Sequence, residues 1–208
     1  MSQQIENWLS SRDVTRKGAE RIVEIVRAGS EILLEEGFSA VTKRRVATRL
    51  GIAHGNVGYY FPTRESLWRA VVDSELSKID DKYSGDLETA MHDPQSCFDE
   101  YLAGYIDEYE DGEFRPFFAH VGAYAETNSA VAKLRDEMYE RILQRIIERV
   151  RPLLPKSDDE QVELRAVAVM AFLEGLGSVS AFRPELVAQG SHFREHAINQ
   201  ANAIVRGG

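Results

Sequence analysis

Five cations and no acid stand between Thr42 and Arg64: Lys43, Arg44, Arg45, Arg49 and Arg64. Among them lie His54, Asn56, Tyr59 and Tyr60, side chains that can both hydrogen-bond and lie flat against a partner. Cations that meet phosphates release counterions, which supplies most of the sequence-independent affinity for a nucleic acid. An Asn amide can bond the edge of adenine in bidentate fashion, worth about 1–3 kcal/mol of discrimination. Together these are the tools of duplex contact, cations for the backbone and short polar groups for base edges. The plain alternative is a helical hairpin with a solvated basic face.

Three short elements must position these groups. Thr42 suits a helix N-cap, and Val46, Ala47 and Leu50 form one apolar face over two turns. Gly51 sits where a helix ends in a left-handed residue, which glycine adopts at little cost. Ile52 is expected as a buried plug. A second short helix then spans His54 to Tyr60, with Val57 and Phe61 inward, and Pro62 stops it. Thr63 caps a third helix, whose first turn carries Glu65 where an acid suits the dipole. This is the grammar of a helix-turn-helix, whose second helix enters the major groove.

Residues 42–67 resemble the DNA-binding domain of the tetracycline-repressor (TetR) family. The resemblance rests on Thr42, Lys43-Arg44, Ala47, Leu50-Gly51-Ile52, Gly55-Asn56-Val57, Tyr59-Tyr60-Phe61 and Thr63-Arg64-Glu65-Ser66-Leu67. It implies that His54, Asn56 and Tyr59 face the groove and that Gly55 lets the backbone approach. It likewise implies phosphate contacts from Thr42, Lys43, Arg44, Tyr60, Thr63 and Arg64, with packing in the small core as the other reading of Tyr60. Arg45 and Arg49 fall on another side of their helix and are expected to be solvated. Gly58 departs from the pattern, because many members carry Tyr there. A small residue at this position resembles the subgroup that includes the choline–betaine regulators. It removes one phosphate contact and softens a short helix by about 1 kcal/mol.

The net charge of −9 argues against nucleic acid only until the chain is divided. Residues 1–70 hold 11 basic and 8 acidic residues, a balance of +3; residues 71–208 hold 14 and 26, a balance of −12. A basic head on an acidic body would dock head first. No apolar run approaches the roughly 18 residues that span a bilayer, and the N-terminus lacks the plan of a signal peptide. Cys97 is the only cysteine, which fits a reducing cytoplasm and reads as a small core hydrophobe.

The organisation expected is all-α: an N-terminal tail over 1–14, a helix-turn-helix domain over 15–62, a connecting helix over 63–83, and a ligand-binding and dimerisation domain over 84–208. A helix opening at Thr15 carries Ile22, Ile25, Val26, Gly29, Ile32 and Leu33 at helical spacing and ends at Gly37. Ser84-Gly85-Asp86 breaks the connecting helix, and a short helix over 86–91 follows. Helices are then expected from about 94 to Asp111-Gly112, around Phe114–Tyr124, and over 129–152 with Arg149 on its wet side. The next, Ser157–Ala181, is apolar on nearly every face, so a second subunit is expected to cover it. A closing helix occupies about 186–205.

In the acidic body, Phe98, Tyr101, Tyr105, Phe117, Val121, Tyr124, Tyr139, Met170 and Phe172 suggest an apolar, aromatic lining. The family resemblance implies an effector site there, with Glu174 and His120 as its polar groups. An unpaired Glu174 among aromatics favours a cation; a bond to an arginine or a helix end at a dimer seam is the plainer reading. His192 and His196 have a metal-compatible spacing but no third ligand, so neither metal nor cofactor is expected. No phosphate-binding glycine loop, Gly-x-Ser-x-Gly elbow or His-Glu-x-x-His is present, which argues against an enzyme. The expectation is a homodimeric transcriptional regulator, usually a repressor in this family, released from a palindromic operator by a small molecule. The rival is a helical interaction protein whose basic hairpin binds an acidic protein.

Overall fold

The computed structural model describes residues 15–83, 92–111, 115–182, 185 and 191–207. Among them are nine α-helices, two short 3-10 turns and no strand. The helices are α1 (Arg16–Glu36), α2 (Lys43–Leu50), α3 (His54–Tyr60), α4 (Arg64–Tyr83), α5 (Pro94–Asp111), α6 (Arg115–Ala125), α7 (Ser129–Val150), α8 (Asp159–Phe182) and α9 (Ser191–Arg206). The expected tail over 1–14, the break at 84–86, the short helix over 86–91, Gly112, Phe114 and residues 186–190 lie outside the described residues.

Local chemistry sets the helix ends. Thr15 Oγ1 accepts from the Gly18 amide and Thr42 Oγ1 from the Arg45 amide, so each hydroxyl takes up one of a helix's unsatisfied donors. Thr63 does the same for Ser66, Asp93 for Ser96, Asn128 for Val131 and Asp158 for Gln161. Gly37 ends α1 at φ 88°, and Gly51 ends α2 in the left-handed region at φ 65° and ψ 31°. Pro152 follows α7 within a tight turn, the 3-10 turn Arg151–Leu153.

Contacts divide the chain into two compact units, one holding residues up to Asp81 together with Pro116–Asp136, the other Lys82–Arg115 with Glu137–Gly208. In the first unit Ile22, Ile25, Val26, Ile32 and Leu33 of α1 are buried with Val46, Ala47, Val57, Phe61, Leu67, Trp68 and Val71. Phe38, Trp68 and Tyr124 form an aromatic triad with ring centroids 5.3, 5.8 and 5.9 Å apart. Gly29 lets α1 and α4 meet: a Cβ there would lie 2.6 Å from Val71 Cγ2. Ile52 is half-buried rather than a plug, because its amide bonds the Ala47 carbonyl and holds it at the edge of the turn.

Arg45 and Arg49 are not merely solvated. Arg45 forks onto Glu36 with N···O distances from 2.7 to 3.1 Å, and Arg49 reaches Glu35 at 2.6 Å and Glu36 at 3.0 Å. These acids end α1, where they oppose the helix dipole, and the guanidiniums of α2 offset them.

In the second unit α5, α8 and α9 pack on one another. Phe98, Leu102 and Ile106 of α5, Val162, Val169 and Leu173 of α8, and Ala201 and Val205 of α9 are buried. Asn202 Nδ2 donates to Asp99 Oδ1 at 2.7 Å and accepts at Oδ1 from Gln95 Nε2 at 2.7 Å, joining α9 to α5. Arg149 corrects its expected wet position: it is 5% exposed, with its guanidinium 4.5 Å from the Tyr101 ring centroid. On α8, Leu164, Val167, Val179 and Phe182 are exposed in the single chain.

Gly29→Ala should lower the thermal midpoint of the full chain. Overpacking against Val71 costs about 1–3 kcal/mol, while the gain in helix propensity is about 1 kcal/mol. A midpoint equal to or above the parent's contradicts the close approach. Hydrogen bonds from Arg49 and Arg45 hold the Glu35 and Glu36 carboxyls below the usual range. Their contribution to stability is therefore complete above the ordinary carboxylate pKa and disappears as pH falls through the depressed one. Replacing Arg45 and Arg49 by Met should move acid unfolding, followed by circular dichroism, to higher pH. The variant and parent should converge once both acids are protonated.

Candidate nucleic-acid interface

The turn between α2 and α3 aims a two-turn helix outward by burying only one side of it. Val57 and Phe61 are fully buried, which pins that side to the core. His54, Gly55, Asn56 and Tyr59 are exposed, and Tyr59 is 78% accessible. The Tyr59 ring meets the half-buried Tyr60 edge-on at 4.9 Å, which orders both rings without covering the outer one.

Each cation is placed differently. Lys43 Nζ donates to the Pro62 carbonyl at 2.7 Å and so ties the start of α2 to the end of α3. Arg64 donates to the carbonyls of Val41 and Ser39 and lies 4.6 Å over the Trp68 ring. Arg44 is exposed and has no side-chain partner among the described residues. Thr42 and Thr63 use their oxygens as caps, leaving each hydroxyl proton available as a donor. The fork of Lys43, Arg64 and the two caps therefore shapes the surface, while Arg44 offers an uncommitted charge.

Neither Gly55 nor Gly58 is demanded by the fold. Both lie at negative φ, and a Cβ on either meets nothing within 4 Å. Each gives up about 1 kcal/mol of helix stability relative to Ala.

The remaining candidates fall in two places. Phe117, His120, Val121 and Tyr124 lie in the unit that holds the head. There Phe117 and Val121 are buried, the His120 ring lies against Gly37, and Tyr124 joins Phe38 and Trp68. The other unit holds Phe98, Tyr101, Tyr105, Tyr139, Met170, Phe172 and Glu174. Phe98, Tyr101 and Tyr105 are buried on α5, while Tyr139, Met170, Phe172 and Glu174 are half-buried.

Tyr105 donates its hydroxyl to Glu174 Oε1 at 3.2 Å. Burial pushes the Glu174 carboxyl above its usual value, and the Tyr105 hydrogen bond pulls it partly back. Glu174 has no lysine or arginine partner among the described residues. Burial also pushes the Tyr101 hydroxyl up to about 12 against the pull of Arg149. Arg145 is shifted down by burial and by the Arg149 charge.

Sequence reasoning missed Arg149. Its spacing from Met138, Ile142 and Ile146 puts it on the buried stripe of α7, a signal outweighed by its charge. Among the described residues no group of three His, Cys, Asp or Glu could hold a metal, and no helix is long and apolar enough to cross a membrane.

No curated protein matches the sequence. Solved structures do match its fold. A protein described as a transcriptional regulator from Pseudomonas aeruginosa superposes with TM-score 0.73 at 16% identity, covering 90% of this chain and 89% of its own. A TetR transcription regulator from Haloarcula marismortui gives TM-score 0.69 at 18% identity over 90% and 97% of the two chains. A regulator from Saccharomonospora viridis, solved in complex with choline, gives TM-score 0.63 at 18% identity over 91% and 97%.

At these identities the likeness establishes the all-α fold with its N-terminal helix-turn-helix. In the sequence itself, residues 25–71 match the profile of the bacterial regulatory proteins of the tetR family. That stretch runs from the middle of α1 through the helix-turn-helix into α4, so this part of the chain is similar to the DNA-binding region of the TetR family.

Proposed function

We infer that this regulator binds a near-palindromic duplex as a homodimer and leaves it when a small molecule occupies the body. The observation that carries the DNA half is the bare outer side of α3, with His54, Asn56 and Tyr59 exposed around Gly55 and Arg44 exposed nearby. In this reading Asn56 and His54 read base edges, and Tyr59 packs against a base or sugar. Arg44 meets phosphate, joined by the remaining donors of Lys43, Arg64, Tyr60, Thr42 and Thr63. Lys43 has donors to spare, because an ammonium carries three and one is used on Pro62.

The dimer half rests on α8. Leu164 (56% exposed), Val167, Ala168, Ala171, Gly175, Ser178, Val179 and Phe182 (76%) recur every three or four residues along its bare side. A contiguous apolar stripe of this length on a helix calls for a partner surface, and a second copy supplies one that is self-complementary. Paired heads would then enter successive major grooves about one helical turn, or a multiple of it, apart.

The effector is read from the half-buried acid. Among the described residues Glu174 has no cationic partner and sits beside Tyr105, which suits a ligand with a positive charge. Choline, held by the structural relative from Saccharomonospora viridis, is such a cation. Phe98, Tyr101, Tyr105, Tyr139, Met170 and Phe172 are the aromatic and apolar side chains of the same unit, and Phe117, His120, Val121 and Tyr124 those of the unit with the head. Occupancy would favour a dimer state whose heads no longer match the operator, a coupling of about 1–3 kcal/mol in ordinary cases.

Duplexes selected from a random-sequence pool test the whole reading. Recovery of a palindromic site supports it; recovery of no preferred duplex at low salt removes it in favour of binding to an acidic protein. On the selected site, Arg44→Ala should weaken binding to all sequences and reduce the salt slope by about 1. Asn56→Ala should instead relax preference at one base pair, at about 1–3 kcal/mol. Equal losses on selected and random DNA from both changes contradict this division of labour. Val167→Glu together with Val179→Glu should yield monomers in sedimentation and abolish binding to the full palindrome. For the effector, cations should release the protein from its site and Glu174→Gln should blunt the release; release by neutral compounds alone ends the cationic reading.

A further inference from the structure

The strongest unexplained feature lies in α3 itself, where Gly58 serves no purpose that the folded chain reveals. Its backbone is at negative φ, so a glycine is not required by conformation. A Cβ built on it meets nothing within 4 Å, so a glycine is not required by packing. The helix that contains it has only seven residues and already carries Gly55. Helices this short depend on tertiary support, and each glycine makes that support harder to achieve. Inside the isolated chain Gly58 is therefore a loss without a compensating gain.

The helical period locates the place where compensation arises. Val57 and Phe61 mark the inward direction, and Gly55 and Tyr59 lie opposite them. Gly58 falls between these two directions, on the flank one turn beyond His54 and Gly55. Along that flank the main chain of α3 is covered by no Cβ at 55 or 58, while Tyr59 stands up beside it, 78% exposed. The result is a shallow trough, with Gly55 exposed and Gly58 half-buried, bordered by an aromatic ring.

We propose that Gly58 is the point where one sugar–phosphate strand of the duplex closes against α3, so that the helix seats deeply enough for Asn56 and His54 to reach base edges. This deepens the DNA-binding reading and rests on it. The residue acts by absence: any side chain holds the strand off, and the loss falls on the base contacts that need depth. Loosely held, non-specific complexes depend on charge and not on depth, so they are insensitive to it.

The test pairs two readouts expected to move in opposite directions. In the full chain, Gly58→Ala should raise the thermal midpoint, because it adds helix propensity in open space. The same variant should bind a duplex selected by the parent chain about tenfold or more weakly. Its affinity for a random duplex and its salt slope should stay unchanged, because no cation is removed. Gly58→Leu should lose more affinity for the selected duplex than Gly58→Ala. A midpoint that falls on Gly58→Ala overturns the inference, since the glycine then serves packing. Unaltered affinity of a more stable Gly58→Ala for the selected duplex overturns it as well. If the parent selects no duplex at all, it is the DNA-binding reading that fails; a duplex bound equally by parent and variant defeats only the role of Gly58.

Discussion

The buried carbonyl of Val41 accepts from Trp68 Nε1 at 2.9 Å and from Arg64 Nε at 3.3 Å, and the geometry of the head follows from that pair of bonds. Val41 lies between a 3-10 turn and α2, so no helical ladder supplies its carbonyl with a donor. A buried carbonyl left empty is costly. By donating to it, α4 fixes the residue immediately before the Thr42 cap, and so the place where α2 begins. Trp68 also carries Phe38 and Tyr124 against its ring, and the guanidinium of Arg64 covers the indole from outside. The direction in which α3 presents its outer side depends on these contacts as much as on its own sequence.

Charge in the head is arranged by the same economy of partners. The acids at the end of α1 face an unfavourable dipole, and Arg45 and Arg49 relieve it from α2. Lys43 and Arg64 partly satisfy main-chain carbonyls, which stiffens the joints on either side of α3. A run of five cations thus resolves into two that stabilise a helix end, two that brace loops, and Arg44, which is exposed and has no side-chain partner among the described residues. The basic character of the head and the framework that holds α3 are made from the same residues.

The body contrasts with this. Its core joins α5, α8 and α9 through ordinary apolar packing and the Gln95–Asp99–Asn202 amide and carboxylate cluster. Its unusual groups are ionisable ones half or fully withdrawn from water: Glu174 on α8 and Arg145 and Arg149 on α7. Desolvated charges of this kind cost stability unless a neighbour or a ligand meets them. Burial pushes the Glu174 carboxyl above its usual value, and the Tyr105 hydrogen bond pulls it only partly back.

Sequence alone determined the helices and their ends, because capping is local. Thr15, Thr42, Thr63, Gly37 and Gly51 act within three or four residues, and the structure keeps each in its expected role. The motif around Leu50-Gly51-Ile52 and Tyr59-Tyr60-Phe61 was likewise readable, since turn and apolar face are encoded side by side. Tertiary structure decided what each charge does. Arg49 meets Glu35 from 14 residues away and Arg64 meets Ser39 from 25, and no periodicity announces such partners. It also decided that Pro116–Asp136 groups with the head, through Tyr124 packing on Phe38 and Trp68. The reason in both cases is the same: a hydrogen bond or ring contact depends on distance in space, and only the folded chain brings residues so far apart in sequence within reach.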